Sequence, residues 1–133
     1  RALGREIGDA LRTEHVVLYP TGWGAAFGLV TALVRPEDHI VLDRLSHASL
    51  QAGAAAATRN LVRTEHLSVE ALQGALATIR ATDTRNGILV ITEGLFSMDS
   101  DSPDLRAMQA ICREYDATLL VDAAHDFGAL GPD

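Results

Sequence analysis

The chain has 133 residues, of which 47% are hydrophobic and 22% charged, a composition typical of a globular domain with its own core. Its formal net charge is −7 and all 11 basic residues are arginines, which argues against nucleic acid as a partner. No apolar run reaches membrane-spanning length, and the single cysteine, Cys112, excludes a disulfide framework within the chain and fits a reducing cytoplasm.

The predicted elements alternate between amphipathic helical stretches and short apolar runs, which suit strands buried on both faces of a parallel sheet. This order implies an open α/β sheet with right-handed crossovers, in a single domain over residues 1–133. In chain order, the patterns predict a helix at 3–11, a strand at 16–19, a helix at 24–34, a strand at 39–43, a helix at 49–57, a strand at 61–62, a helix at 69–79, a strand at 88–91, a helix at 105–115 and a strand at 118–121.

Two of the predicted helices have recognisable starts. Ser68 stands directly before helix 69–79, where we expect its side chain to act as the N-cap. Ser102 and Pro103 precede helix 105–115 as the expected N-cap and first helical residue. Because the chain opens inside a helical pattern and stops in a loop after its last strand, we expect the domain to be truncated at both ends.

Polar side chains follow most of the predicted strands. Because ligands of open α/β sheets bind outside the carboxyl ends of the strands, this convergence predicts a polar active site at that edge. The residues that follow the strands and are candidates for the site are Thr21, Asp43, Ser46, His47, Glu93, Ser97, Asp122 and His125.

The segment Thr21-Gly22-Trp23-Gly24 opens a helix directly after an apolar run. Backbone N–H groups and the helix dipole favour an anion such as phosphate there, although a tight turn without a ligand fits the pattern equally well. The glycine spacing misses the dinucleotide fingerprint by one residue. Asp122 closes an apolar strand, where a carboxylate needs a partner or a site to face, unless it only caps a turn.

The remaining candidates have ordinary structural interpretations as well. His125 follows Asp122 closely, but no second His or Cys stands at ligand spacing, so no metal site is predicted. His47 alone would fit a structural loop histidine, and the loop that carries Glu93 and Ser97 could be a simple connection. The other histidines are interpreted as structural or surface residues; they are His15, His39 and His66.

Taken together, these segments resemble the α-oxoamine synthase family of fold-type I enzymes, which depend on pyridoxal 5′-phosphate (PLP). The resemblance covers nearly the whole chain, and it implies a three-layer α/β/α architecture with a mostly parallel sheet, part of the large PLP-binding domain. The matching segments are 19–25, 43–49, 92–99 and 121–125, followed by Gly128-Ala-Leu-Gly131.

The resemblance also implies roles for individual residues in binding PLP. Thr21, Gly22 and Trp23 would hold the cofactor phosphate through backbone amides. Asp122 would pair with the pyridine nitrogen. The side chains expected to act on the ring or the substrate are His47, which would stack on the pyridine and take part in acid–base steps, Ser97 and His125, which would contact the ring hydroxyl, and Glu93, which would lie near the substrate.

The activity implied by the resemblance is a decarboxylating condensation of an amino acid with an acyl-CoA to an aminoketone, carried out by a homodimer. Another fold-type I reaction, such as that of an aminotransferase, aldolase or lyase, is an alternative, because fold does not fix the reaction. The chain contains no lysine, and the lysine that binds PLP in this family normally follows the Asp-x-x-His segment. We therefore expect this segment alone to be inactive, and a lysine-free, non-catalytic fragment is a further alternative.

Overall fold

The computed structural model describes residues 2–129, which form five helices and four strands. None of the helices in these residues is both long and apolar enough to cross a membrane. The elements are α1 (Ala2–Leu11), α2 (Gly22–Leu33), β1 (His39–Asp43), α3 (Ala48–Ala57), β2 (Leu61–Thr64), α4 (Val69–Thr82), β3 (Ile88–Glu93), α5 (Leu105–Glu114) and β4 (Thr118–Asp122).

The four strands form one sheet in the order β2-β1-β3-β4, and every neighbouring pair is parallel. The chain leaves β1 towards β2 on one side and later returns to β3 on the other. The strand order therefore reverses between β1 and β3, and a crevice opens at the carboxyl ends of strands at such a point. The predicted α/β class with a parallel sheet is confirmed.

Apolar side chains cover both faces of the sheet, because successive residues of a strand point to opposite sides. On one face Ile40, Leu42 and Ile91 pack against Val30 of α2 and Leu50 of α3. The second cluster lies on the opposite face, against α4 and α5, and contains Val41, Leu72, Leu76, Ile79, Ile88, Val90 and Cys112. The expected three-layer α/β/α arrangement is confirmed.

Two details of the expected secondary structure are wrong. Residues 16–19 form no strand of the four-stranded sheet, and Val17 is 76% exposed. An apolar run becomes a strand only where its backbone pairs with a neighbouring strand, and this run pairs with none of the four described strands. The N-cap of α5 is Asp104 and not Ser102, because the Asp104 carboxylate accepts a hydrogen bond from the Ala107 N–H at 2.9 Å. Pro103 therefore precedes the helix and is not its first residue. The N-cap role of Ser68 in α4 is confirmed.

The amino-terminal edge of the sheet is closed by polar contacts. The Arg80 guanidinium donates to four backbone carbonyls that end α4 and α5 and begin the next turns; these belong to Asp83, Asn86, Tyr115 and Asp116. His39, at the start of β1, contacts the Asp83 carboxylate at 2.9 Å. These polar groups are hydrogen-bonded to one another, so we expect a ligand site at the carboxyl edge of the sheet.

Helices α2 and α3 approach each other at Gly53. A Cβ atom there would lie 3.2 Å from Phe27 Cα and 3.3 Å from Phe27 O, and these backbone atoms can move only if the helices separate. We expect Gly53→Ala to lower the melting temperature, because overpacking of about 1–3 kcal/mol exceeds the helix-propensity gain of about 1 kcal/mol.

Gly74 of α4 provides the matched control, since a Cβ there meets no atom within 4 Å. We expect Gly74→Ala to stabilise the protein by about 0.5–1 kcal/mol. Thermal unfolding followed by circular dichroism measures both changes. Equal stabilisation by the two substitutions would contradict the close α2–α3 contact.

Candidate active site

A cavity of about 580 Å³ opens at the carboxyl edge of the sheet, on the face covered by α2 and α3. Its size is in the range of sites for small ligands and cofactors. Both apolar and ionisable side chains line it, and within residues 2–129 no arginine is among them. The lining residues are His15, Val17, Tyr19, Gly22, Trp23, Ala25, Ala26, Leu29, His47, Ser49, Leu50, Glu93, Leu120, Val121, Asp122, Ala123, Ala124 and His125.

The first turn of α2 forms one wall of the cavity. Thr21 is the N-cap, and its hydroxyl oxygen accepts a hydrogen bond from the Gly24 N–H at 3.0 Å. The preceding amides of Gly22 and Trp23 belong to the positions whose N–H groups have no acceptor within a helix. Because the helix dipole adds positive potential at the same place, this wall favours an anion without any cationic side chain.

The Tyr19 ring packs against Gly28 of α2, just before the turn at Thr21. Its ring lies so close to Gly28 that a Cβ atom at Gly28 would come within 2.9 Å of Tyr19 Cε1. The absence of a side chain at Gly28 therefore lets the ring lie against the helix. This contact places Tyr19 in the cavity lining, directly before the helix start.

His47 caps α3 with its imidazole ring. Its Nδ1 atom accepts a hydrogen bond from the Ser49 N–H at 3.3 Å and lies 2.7 Å from Ser49 Oγ. Because Nδ1 serves as an acceptor, the proton of the neutral ring is assigned to Nε2. The ring also meets Trp23 edge-on, with centroids 6.1 Å apart, so two cavity walls hold its orientation.

Glu93 ends β3 and is only 3% exposed. Its Oε1 atom accepts a hydrogen bond from the His47 backbone N–H at 2.6 Å, which joins the end of β3 to the start of α3. Burial raises the pKa of Glu93, and the Asp122 charge raises it further, whereas the His47 N–H opposes the shift. The carboxyl group can therefore take up a proton more readily than an exposed glutamate.

Asp122 ends β4 directly beside Glu93, since the two are partners in the parallel register. Its Oδ1 atom accepts a hydrogen bond from the Ala124 N–H at 3.0 Å, which fixes the carboxylate in the turn that follows the strand. His125 lies in the same turn, is exposed to solvent and lines the cavity. The ends of β3 and β4 thus bring two carboxyl groups to one wall.

Most of the residues proposed from the sequence meet at this cavity, and some lie elsewhere. Gly22, Trp23, His47, Glu93, Asp122 and His125 line it, and Thr21 supports its wall. Ser97 is exposed in the loop after β3 and is not among the lining residues. In the matching segment 128–131, Leu130 and Gly131 lie outside the described residues.

The sequence interpretation missed three polar residues of the lining. His15 was interpreted as a structural or surface residue, Tyr19 was counted as part of a strand, and Ser49 was taken as the start of a helix. The proximity of Tyr19 to the Thr21 turn was the available signal for that residue. His15 reaches the cavity only through the path of the chain between α1 and α2, which no local pattern reports.

Comparison with known proteins agrees with this geometry. The family model for aminotransferase class I and II matches residues 2–133. The 8-amino-7-oxononanoate synthase of Pectobacterium atrosepticum is 42% identical over 132 residues, which are 99% of this chain and 33% of that protein. The enzyme of the same name from Klebsiella pneumoniae is 43% identical over 134 residues, 100% of this chain and 34% of that protein. The chain thus spans about a third of the length of these curated relatives.

Solved structures give the same result. Serine palmitoyltransferase from Sphingomonas wittichii superposes with a TM-score of 0.88 at 35% identity, over 93% of this chain and 30% of that one. The enzyme from S. paucimobilis with bound PLP–myriocin aldimine has a TM-score of 0.91 at 32% identity, over 98% of this chain and 32% of that one. The resemblance to the α-oxoamine synthases is confirmed, and the chain belongs to the aminotransferase class I and II family.

Proposed function

We propose that this chain is the PLP-binding part of an acyltransferase that condenses an amino acid with an acyl-CoA and releases the amino acid carboxylate as CO₂. The observation that carries the proposal is that Asp122 and the first turn of α2 line one cavity together with His47. The relatives support it, because they are named 8-amino-7-oxononanoate synthase and serine palmitoyltransferase. The activity, substrates and partners belong to the whole protein.

The groups that line the cavity fit the chemistry of PLP. The cofactor carries a phosphate anion at one end and a basic ring nitrogen at the other, and the cavity offers helix N–H donors at Gly22 and Trp23 and a carboxylate at Asp122. The apolar lining, including Ala26 and Leu120, suits the flat face of an aromatic ring. When bound, PLP supplies an electron sink for negative charge at the α-carbon of the amino acid.

Asp122 has the role of keeping the ring nitrogen protonated. A partly buried carboxylate raises the pKa of a basic partner, and the protonated ring withdraws electrons more strongly. The Ala124 N–H holds Oδ1, which leaves Oδ2 for the nitrogen. His125, in the same turn, is positioned to donate to the ring oxygen, and we retain Ser97 as a second proposed contact from the loop after β3.

His47 has the roles of covering the ring and exchanging a proton with the substrate. The Ser49 contacts at Nδ1 leave the Nε2–H as the group that faces a ligand. Glu93 positions His47 through the backbone N–H and places an easily protonated carboxyl group in the same wall. Acid–base work of this kind favours groups whose pKa lies near the working pH.

The parts of the active site that these residues lack would come from elsewhere in the assembled protein. The chain has no lysine, so the lysine that binds PLP has to lie outside these residues. Exposed apolar side chains of the cavity lining, including Val17, Tyr19, Trp23 and Leu29, favour contact with a second subunit. We propose a homodimer in the cytoplasm, with the amino acid and the acyl-CoA as small-molecule partners.

The proposed reaction is tested on the full protein supplied with PLP. We expect a visible absorbance band that changes when glycine, alanine or serine is added, and CoA release, read with a thiol reagent, only when an acyl-CoA and the right amino acid are both present. Amino-group transfer to a 2-oxo acid without CoA release would instead identify another fold-type I reaction. Absence of both reactions would contradict a catalytic role.

Substitution of Asp122 by Asn should lower kcat by about a hundredfold, because the carboxylate that keeps the ring nitrogen protonated is lost while the anion-binding turn is intact. The measurement is CoA release at saturating substrates, together with the absorbance of bound PLP. Asp116→Asn is the matched control: the same change occurs in an exposed residue before β4, at a φ of 50° that Asn tolerates. An equal loss in both variants would contradict the role of Asp122.

Substitution of Glu93 by Gln should change stability in a pH-dependent way. Because the pKa of Glu93 is raised in the folded state, the wild-type protein loses stability as the pH rises through that pKa, and the neutral Gln does not. The free energy of unfolding of Glu93→Gln relative to wild type should therefore increase from about pH 5 to about pH 8.

Glu93→Ala is the companion variant, because it leaves the His47 N–H without its acceptor. We expect it to destabilise the protein by about 1–3 kcal/mol at both pH values. Denaturant unfolding measures both variants. A pH-independent difference for Glu93→Gln would contradict the burial argument.

A further inference from the structure

A second polar cluster lies at the carboxyl edge of the sheet, outside the cavity. The His66 ring stands between two carboxylates, with Nδ1 2.9 Å from Asp43 Oδ1 and Nε2 3.1 Å from Asp101 Oδ2. Asp43 ends β1, His66 follows β2, and Asp101 lies in the loop after β3. A single imidazole thus connects the end of β1 with the loops that follow β2 and β3. None of these three side chains takes part in the function proposed above.

Asp43 faces α4 and α5, away from the cavity. It stands two residues after Val41, whose side chain belongs to the cluster on that face, and side chains alternate along a strand. The Asp43 carboxylate is fixed by the backbone N–H groups of Leu45 at 2.8 Å and Leu67 at 2.9 Å. It is therefore a rigid partner for His66.

The contacts on both ring nitrogens favour the protonated form of His66. A neutral imidazole has one N–H and one lone pair, so one of its nitrogens would direct a lone pair at a carboxylate. Only the imidazolium donates from both nitrogens, and it also balances part of the negative charge around it.

The contact between Asp101 and His66 holds segment 94–101, which follows Glu93, ends at Asp101 and carries Ser97. Phe96, which is 2% exposed, meets the His66 ring edge-on at 4.6 Å, and its N–H donates to the Asp101 carbonyl at 2.9 Å. The Ser100 N–H donates back to Phe96 O at 2.9 Å. Hydrogen bonds within segment 94–101 hold its shape, and the contacts of Phe96 and Asp101 with the His66 ring attach it to the loop after β2.

We propose that His66 is a positioning residue whose imidazolium latches segment 94–101 to the end of β1. The latch orients a segment that begins at the cavity wall, because Glu93 lines the cavity and immediately precedes it. Loss of the proton removes one of the two donated bonds, either to Asp43 or to Asp101, and so breaks the link between the segment and the end of β1. An effect of the latch on PLP binding, through Ser97, rests on the proposed function, whereas the latch itself does not.

The charges around His66 set the direction of its pH dependence. Burial alone lowers the pKa of His66, but the hydrogen bonds and charges of Asp43 and Asp101 outweigh burial and raise the pKa above its ordinary value. A carboxylate oxygen of Asp99 lies within 4.8 Å of a ring nitrogen of His66 and adds negative charge. The latch is therefore complete below about pH 6.5 and is lost as the pH rises through the raised pKa.

Hydrogen exchange of segment 94–101 in the full protein without added PLP tests the latch. After correction for intrinsic rates, the protection of the Phe96 and Ser100 amides should fall as the pH rises from about 6 to about 9. In His66→Gln, protection should be about tenfold lower at pH 6 and should no longer vary with pH. His39→Gln removes a similar His–Asp contact at the opposite edge and should leave the segment unchanged.

Asp101→Asn keeps His66 but removes one of the carboxylates that raise its pKa. The pH at which half of the amide protection is lost should therefore be lower than in the wild type. A flat wild-type profile, or the same loss of protection in His39→Gln as in His66→Gln, would overturn the latch. A PLP titration followed by visible absorbance, run in parallel, separates the two proposals. If the protein does not bind PLP but shows the predicted exchange profile, the latch is supported and the proposed function is contradicted.

Discussion

The carboxyl groups that end three parallel strands organise the functional edge of this protein. Each is held by a backbone N–H group: Asp43 by those of Leu45 and Leu67, Glu93 by that of His47, and Asp122 by that of Ala124. A carboxylate at the end of a buried strand is costly unless such donors compensate for lost water. The following loops therefore take the shapes that supply these donors.

The strand register decides which of these groups can act together. Glu93 and Asp122 are partners across β3 and β4, and both lie on the side of α2 and α3, where the first turn of α2 adds the potential of its N–H groups. Asp43 lies on the opposite side, with His66 and Asp101. One edge of the sheet thus carries a cavity on one face and an ion-pair cluster on the other.

The two faces are connected through the loop that leaves β3. Glu93 forms part of the cavity wall, and eight residues later Asp101 contacts His66. The proposed latch would therefore hold the cavity wall from the side of α4 and α5. A positioning contact on one face can change without altering the groups that bind a ligand on the other face.

The sequence by itself determined the α/β class, the parallel sheet, the alternation of helices and strands, and a set of candidate site residues most of which line the cavity. These features depend on periodicity and on the rule that polar residues after parallel strands meet at one edge. The motif segments also identified the family. The cap at Ser68 was predictable because capping depends on neighbouring residues.

Only the tertiary structure decided what depends on distant contacts. Residues 16–19 have the pattern of a strand but pair with none of the four described strands, His15 reaches the cavity through the path of the chain, and Ser97 lies outside the lining. His66 was assigned to the surface or to structure, and its two carboxylate partners come from positions 23 residues before it and 35 residues after it. Burial and pairing across such separations follow from packing, which local sequence patterns do not encode.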